Sequence, residues 1–499
     1  MIENLKKLFR HSFVYSISSI AAKAIGVILL PLYTKYIPLG DYGDLAVVDI
    51  TIMILVELLI LGQGQSLAYI ANSEEYKDKI KPAFFSIFAS VMIINLFFVF
   101  LCRGFVVPQL AAITGNISIQ TYSEIAVWII LLRVINTLFV NKLRADEKSI
   151  AYTIANLARL LISLGLAIYF IAVKGMGVSG LFTAYLIGEG LVFIIMLPLM
   201  LRQMEFRFEK PVIIHSMKFG YPLIFNSIPF MLLNLSDRYI LAAFRGQEVV
   251  GLYDLGYRIA GIMNMLFIIP FNLAMMPIVY KIYNTKGDKL FYSKLLTYST
   301  FVFVWTGLAL SLFAKEILSV FSFNDAYNEA YIVVPVITLS YVFSGMRLVA
   351  VIGTFVKQQT KYIALSTLIA ALLNIALNFI TVPKYGMMSA AYNTLICFVL
   401  LHYTSIYFSN KFYPVDYKNF GTLFMILLGT GFYIIIFEIE KYSYGLGLTL
   451  KIGVTILFPV LMITLRYFNK SEVKYFIKVM ESLKNPANIK NIFSAEINN

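Results

Sequence analysis

The chain has 499 residues, 60% of them hydrophobic and only 14% charged, with a mean hydropathy of +0.79. Soluble chains carry about 25% charged residues, so this composition excludes an ordinary soluble protein and makes lipid the solvent for most of the chain. The net charge of +14 does not point to nucleic acid either, because the basic residues fall in loops with a one-sided distribution.

Apolar runs bounded by charged or turn residues predict about fourteen transmembrane helices. In chain order they are Phe13 to Tyr36, Leu45 to Ala71, Pro82 to Leu101, Ile125 to Val140, Ile150 to Val173 and Gly175 to Leu201. The second half gives Phe219 to Phe244, Val249 to Tyr280, Leu295 to Ala314, Ala330 to Val356, Tyr362 to Pro383 and Tyr385 to Tyr407, and Phe420 to Phe437 and Leu446 to Leu465 follow. The first run is too long for a signal peptide and lacks a small-residue cleavage site, so it reads as a retained span. With the N terminus inside, 27 of the 41 Lys and Arg residues fall in cytoplasmic loops and tails, and each of seven outer loops holds one (Lys35, Arg103, Lys174, Arg245, Lys315, Lys384 and Lys441). That asymmetry follows the positive-inside rule and places both termini in the cytoplasm. The last residues, with Val473, Phe476, Ile477, Met480 and Leu483 at helical spacing among lysines, read as an amphipathic surface helix.

The segments assemble into an all-α, polytopic membrane protein. A basic cytoplasmic N terminus (1–12) leads into a first six-helix lobe (13–201), a cytoplasmic linker (202–218) and a second six-helix lobe (219–409). Two extra C-terminal helices (418–466) and the amphipathic tail (467–499) complete it. A faint duplication links the lobes. Lys174 to Gly180 resembles Lys384 to Ala390 at an offset of 210, Tyr152 and Tyr362 share that offset, Gly43 pairs with Gly251 at 208 and Tyr15 with Tyr221 at 206. Six intervening spans give both copies the same direction through the membrane, so the expected relation is a parallel repeat with the substrate path between the bundles.

Charged residues inside the spans are the candidate site. The cations are Lys23, Arg133, Arg159, Arg238, Arg258 and Arg347, with Lys451 near a span end, where snorkelling to the interface is expected. The acids are Asp49, Glu57, Glu189, Asp237 and Asp254. At about 3 kcal/mol for each charge exposed to lipid, they must face a wet interior or one another. The cations are expected to line a polar cavity, and the acids to pair with them or couple an ion. Asp254 and Arg258, four apart, suit an internal salt bridge; Asp237 and Arg238 point about 100° apart and need different partners. Gly26, Pro31, Pro222, Pro229, Pro270 and Pro277 mark expected bends, and Gln63, Gln65, Asn136, Asn226, Asn234 and Asn264 are polar groups available to sugar hydroxyls or to interhelical hydrogen bonds.

Catalysis finds no support. Cys102 and Cys397 sit in apolar segments and His11, His215 and His402 are scattered, so neither a metal site nor a disulfide framework is expected. No Gly-Lys dipeptide occurs, hence no Walker A loop, and no cofactor is expected.

Several motifs in order resemble a known family: Ser12-Phe-Val-Tyr15, Pro31-Leu-Tyr33, Asp41-Tyr-Gly43, Ser236-Asp-Arg-Tyr239, Val250-Gly-Leu-Tyr253, Asn374-Ile-Ala-Leu-Asn378 and Lys384-Tyr-Gly386. Across essentially the whole chain, the sequence is similar to the polysaccharide-exporter branch of the multidrug/oligosaccharidyl-lipid/polysaccharide superfamily, which includes the Wzx flippases of O-antigen and capsule. The resemblance implies two lobes forming a V and translocation of undecaprenyl-pyrophosphate-linked oligosaccharide across the bacterial cytoplasmic membrane. Implied partners are that lipid-linked oligosaccharide, membrane lipids, a polysaccharide polymerase with its chain-length regulator, and a coupling ion, proton or sodium. The rival expectations are a lipid II flippase and an ion-coupled multidrug antiporter of the same superfamily.

Overall fold

A computed structural model describes residues 24, 26–108 and 117–468. Lys23 and the expected amphipathic tail lie outside the described residues. The described chain is all-helical, with no strand among the described residues.

The first half contains α1 (Leu30–Tyr36), α2 (Leu39–Leu59), α3 (Gln63–Ala71), α4 (Ile80–Leu101), α5 (Ile117–Ala145), α6 (Ser149–Ile168) and α7 (Gly177–Arg202). The second contains α8 (Lys210–Leu235), α9 (Asp237–Arg245), α10 (Gln247–Met263), α11 (Ile269–Ile282), α12 (Asp288–Leu312), α13 (Ala314–Phe321), α14 (Val334–Ala350), α15 (Ile352–Val356), α16 (Thr360–Tyr385) and α17 (Met387–Phe412). Two more helices, α18 (Asn419–Glu440) and α19 (Tyr444–Thr464), pack on α12. Twelve helical stretches among the described residues are long and apolar enough to cross a membrane. The α8–α9 path supplies another span, and α1 is the described end of the first. The protein is therefore an integral membrane protein with about fourteen membrane helices. Large apolar side chains such as Ile93, Phe97 and Phe100 on α4 point away from the protein, 62%, 69% and 82% exposed, as lipid-facing positions should.

Within the first half, α5 and α7 are the hub on which α2, α3, α4 and α6 pack; in the second, α14 and α17 hold α12, α10 and α16. The hydrophobic core does not stop at the boundary between halves, since Tyr253, Leu255 and Ile259 of α10, with Tyr327 and Val333, join the cluster built by the first half. The main contact across the halves is α2 against α10. At the lysine-poor end it is extremely close: a Cβ on Gly43 would lie 1.9 Å from the Gln247 carbonyl oxygen, and one on Gly251 would lie 2.7 Å from the Leu39 carbonyl oxygen and 3.4 Å from the Gly43 nitrogen. Gly43 and Gly251, which the faint duplication pairs at an offset of 208, thus meet face to face, as an axis along the membrane normal would require. The same end is tied by Thr34 Oγ1 donating to the Phe321 carbonyl at 2.7 Å and Tyr327 OH donating to the Ile37 carbonyl at 2.8 Å.

At the lysine-rich end the contact passes to α3 and α8. A Cβ on Gly62 would lie 2.2 Å from the Gly220 carbonyl oxygen, Ser66 Oγ donates to the Ser216 carbonyl at 2.9 Å, and Tyr69 stacks on His215 and Phe219. The halves thus touch at both ends. Between them the span bends at Leu61 and Gly62, with φ of 55° and 65°, a left-handed conformation that costs a non-glycine residue of order 1 kcal/mol or more.

The expected proline bends are only partly realised. Pro222 and Pro229 lie inside the unbroken α8, and the interruption comes later, at Ser236. Before Pro270 the chain makes a π-helical turn, Asn264–Ile268, which accommodates the hydrogen bond that proline cannot donate. The helix α8 also begins at Lys210, inside the expected linker. Lys451 does not snorkel: it is 1% exposed and bridges Glu316 of α13 at 2.7 Å and Glu440 of α18 at 3.0 Å. Its span end is covered by protein rather than open to the headgroups.

Candidate functional site

The interior charges gather into one central network and one isolated group. In the first half, Glu189 on α7 is 2% exposed. It receives Arg133 Nε of α5 at 2.9 Å and Asn136 Nδ2 at 2.8 Å, with Arg159 Nη1 of α6 at 3.9 Å. Two guanidiniums share one carboxylate, and both are partly exposed (20% and 24%), so neither is sealed into the core. Arg133 also lies 5.5 Å above the Tyr185 ring.

In the second half, Asp254 on α10 serves two arginines. Arg258 Nε, one turn along the same helix, approaches Oδ2 at 2.6 Å, and Arg238 Nη2 of α9 approaches Oδ1 at 3.2 Å. Arg238 is held further by donating to the Asn234 carbonyl at 2.7 Å and by lying 4.0 Å over the Tyr257 ring. Arg258 then reaches across the halves to Asp49 of α2 at 3.5 Å. Asp49 stands within electrostatic reach of Arg133 as well, so it joins the two sets. The network holds Arg133, Arg159, Arg238 and Arg258 against Asp49, Glu189 and Asp254, with Asp237 also within electrostatic reach of Arg238.

Arg347 stands apart on α14. Its guanidinium donates from Nη2 to Thr367 Oγ1 at 3.0 Å and lies 5.9 Å from the Phe230 ring centre. Its Nε is buried without a hydrogen-bond partner, and no carboxylate among the described residues pairs with it. His402 of α17, 1% exposed, is near enough to feel its charge. Glu57 on α2 makes no ion pair among the described residues. Asp237 and Arg238 do take different partners: the carboxylate of Asp237 accepts hydrogen bonds from Tyr253 OH and from Thr394 Oγ1.

Several expected sugar-contact groups are already engaged. Gln63 and Asn136 are buried, the first turned toward the Ser216 carbonyl and the second bound to Glu189; Asn234 accepts from Tyr257 OH at 3.2 Å. Thr367, Phe230 and His402 around Arg347 carry no sequence signal, since they come from three helices that meet only in the fold.

A family model described as polysaccharide biosynthesis protein matches residues 8–283, more than half of the chain. No curated protein matches it in sequence. Among solved structures, it is similar to the lipid II flippase MurJ in an inward closed conformation, with a TM-score of 0.71 and 17% identity over 91% of this chain and 99% of that one. It also resembles a multidrug resistance MATE family transporter of the MOP superfamily in an inward-facing conformation (TM-score 0.62, 13% identity, 79% of this chain and 94% of that one). A third likeness is the MATE multidrug transporter DinF-BH (TM-score 0.58, 17% identity, 81% and 95%). At these identities the likeness is one of fold. That match over more than half of the chain shows that this chain belongs to the polysaccharide biosynthesis protein family.

Proposed function

We propose that the protein is a flippase that moves an undecaprenyl-pyrophosphate-linked oligosaccharide repeat unit from the cytoplasmic to the periplasmic leaflet by alternating access between lobes 13–201 and 219–409. The observation that carries this reading is Arg347, a buried guanidinium that no carboxylate among the described residues pairs with, beside Arg133 and Arg159, which share Glu189. An uncompensated guanidinium in a low-dielectric interior is costly, and an anionic ligand offsets that cost. Pyrophosphate suits it, because the planar fork of arginine grips phosphate oxygens bidentately. Lys23 would add a further positive group, and the polyprenyl tail stays in lipid while the headgroup crosses. Asp49, Glu189 and Asp254 each already hold an arginine, which argues against a cationic drug as cargo. In this reading the lysine-rich end is cytoplasmic, and polymerase and chain-length regulator act on the delivered product.

The test replaces Arg347, Arg133 and Arg159 singly with Gln in sealed vesicles loaded with fluorescent lipid-linked oligosaccharide or with lipid II. The reading expects normally folded R347Q protein with little or no flipping of the oligosaccharide. Full flipping by all three variants would refute the cationic path, and equal flipping of lipid II would move the cargo to peptidoglycan precursor.

A further inference from the structure

Inside the second half, four helices converge on two polar groups that the fold leaves without partners. Arg347 of α14 makes one hydrogen bond among the described residues, from Nη2 to Thr367 Oγ1 of α16 at 3.0 Å. Thr367 is 2% exposed and gives its own hydrogen to the Ile363 carbonyl at 2.7 Å, so toward the guanidinium it acts as an acceptor. Arg347 Nε is buried and bonded to nothing. On α17, which packs against α14, His402 is 1% exposed and its Nδ1 is likewise buried without a partner.

Packing brings these two groups to one place. Phe343 and Arg347 are one turn apart on α14 and share a face, and the Phe343 ring centre lies 6.0 Å from that of the His402 imidazole. Phe398 and His402 are one turn apart on α17, and the Phe398 ring meets Phe230 of α8 at 6.3 Å. The Phe230 ring in turn lies 5.9 Å from the guanidinium. His402 also stands within electrostatic reach of Arg347. The orphaned nitrogens therefore share an enclosure walled by aromatic rings from α8, α14 and α17 and closed by the Thr367 hydroxyl from α16.

Buried polar groups without partners are uncommon in native proteins, and here two occur together beside a charge that no carboxylate among the described residues pairs with. A bridging water would satisfy the nitrogens but leave the positive charge uncompensated in a low-dielectric interior. An anion does both. A polyatomic oxyanion asks for a donor at each oxygen, and two side chains supply the free N–H groups here. The rest of the wall is aromatic carbon, whose ring edges carry partial positive charge. A monoatomic anion leaves no oxygen unsatisfied against such a wall.

We propose that Arg347 and His402 bind a chloride ion between α8, α14, α16 and α17, as the resident counter-charge of the guanidinium. Arg347 donates from Nε, and His402 donates from Nδ1 as the neutral tautomer with its hydrogen on that nitrogen. One guanidinium is not neutralised twice, so a pyrophosphate arriving at Arg347 displaces the ion. That exchange alone rests on the flippase reading; the chloride site does not.

The test measures chloride binding and stability. Purified full-length protein in neutral detergent is dialysed into sodium gluconate, then titrated with radiolabelled chloride at constant ionic strength, and its melting temperature is followed in parallel. The expected result is one chloride per chain and a melting temperature that rises with chloride until the site is full. R347Q should bind none and melt without regard to chloride, and in gluconate it should melt no lower than the wild type, because it no longer buries a bare charge. R347K, which keeps the charge but not the Nε donor, and H402F, which keeps the ring but not the Nδ1 donor, should each bind about tenfold more weakly, so the site is tested even if R347Q misfolds. R159Q should bind chloride as the wild type does. Bromide soaked into crystals should give one anomalous peak beside Arg347 Nε. Equal melting in chloride and gluconate, unchanged binding in R347Q or H402F, or a bromide peak at Arg133 or Arg258 instead would overturn the proposal. Tighter binding of inorganic phosphate than of chloride would overturn the choice of a monoatomic ion. Added undecaprenyl pyrophosphate should release the chloride; bound chloride that it fails to release would leave the site standing and remove Arg347 from the cargo path alone.

Discussion

Replacing Glu189 with Gln keeps the shape of the side chain and its acceptor for Asn136 but removes the carboxylate that Arg133 and Arg159 share among the described residues. At an effective dielectric of about 20, contacts at 2.9 and 3.9 Å correspond to gross attractions of about 6 and 4 kcal/mol, most of it offset by desolvation. Breaking a buried pair by removing one partner costs about 3 to 5 kcal/mol. Because the two guanidiniums are 20% and 24% exposed and recover some hydration, the expected loss for E189Q is about 2 to 4 kcal/mol. R159Q, which removes the longer contact, should cost under about 1 kcal/mol. The double variant R133Q/E189Q should be more stable than the sum of its single variants by about 1 to 3 kcal/mol. Denaturant titration of purified protein in mixed micelles, followed by tryptophan fluorescence, measures all four. If E189Q is as stable as the wild type, or if R133Q/E189Q is only additive, the two arginines are not held by Glu189 and the charge accounting of the first half fails.

Three further outcomes are expected. Replacing Gly43 with Val puts side-chain atoms where the Gln247 carbonyl already lies, so the start of α2 should detach from α10 and hydrogen exchange across residues 39–49 should rise, while residues 62–71 at the other end keep wild-type protection. K451M removes the ammonium that the half-buried carboxylates of Glu316 and Glu440 share and should lower the melting temperature, with substantial recovery in K451M/E316Q/E440Q; a triple variant no better than the single would show that the lysine acts through packing alone. Cysteines placed at Lys174 or Lys384 should react with an impermeant thiol reagent from the periplasm, and ones at Arg207 or Lys286 only after permeabilisation.

How far the sequence carries depends on how local each feature is. Span positions follow from runs of apolar residues, and the Asp254–Arg258 bridge from spacing on one helix, so both are legible. The divergence of Asp237 and Arg238 is legible for the same reason, as a step of about 100°. The partner of Arg133 and Arg159 is far along the chain, at Glu189, and only helix packing chooses that acid over Glu57. Lys451 misleads because its nearness to a span end implies solvent, whereas Glu316, 135 residues earlier, comes to cover it. Pro222 and Pro229 mislead in the other direction: membrane helices absorb proline when neighbouring helices hold them in place, and the sharp bend falls at Leu61 and Gly62, where one glycine in an apolar run looks like any other. Gly43 and Gly251, paired in the sequence by the faint duplication, are physical neighbours in the fold.

Where the two halves come closest, main chain lies against main chain: Gly43 and Gly251 against Gln247 and Leu39 at one end, Gly62 against Gly220 at the other. Approach that close leaves no room for a side chain at these glycines. Under the proposed function, chemistry that distinguishes one sugar from another falls to residues away from these glycines, which are then free to drift toward new polymers without retuning the close approach. The path from α2 into α3, bent at Leu61 and Gly62, would then act as an inherited frame, with a change of cargo met by other residues rather than by a redesign of the machine.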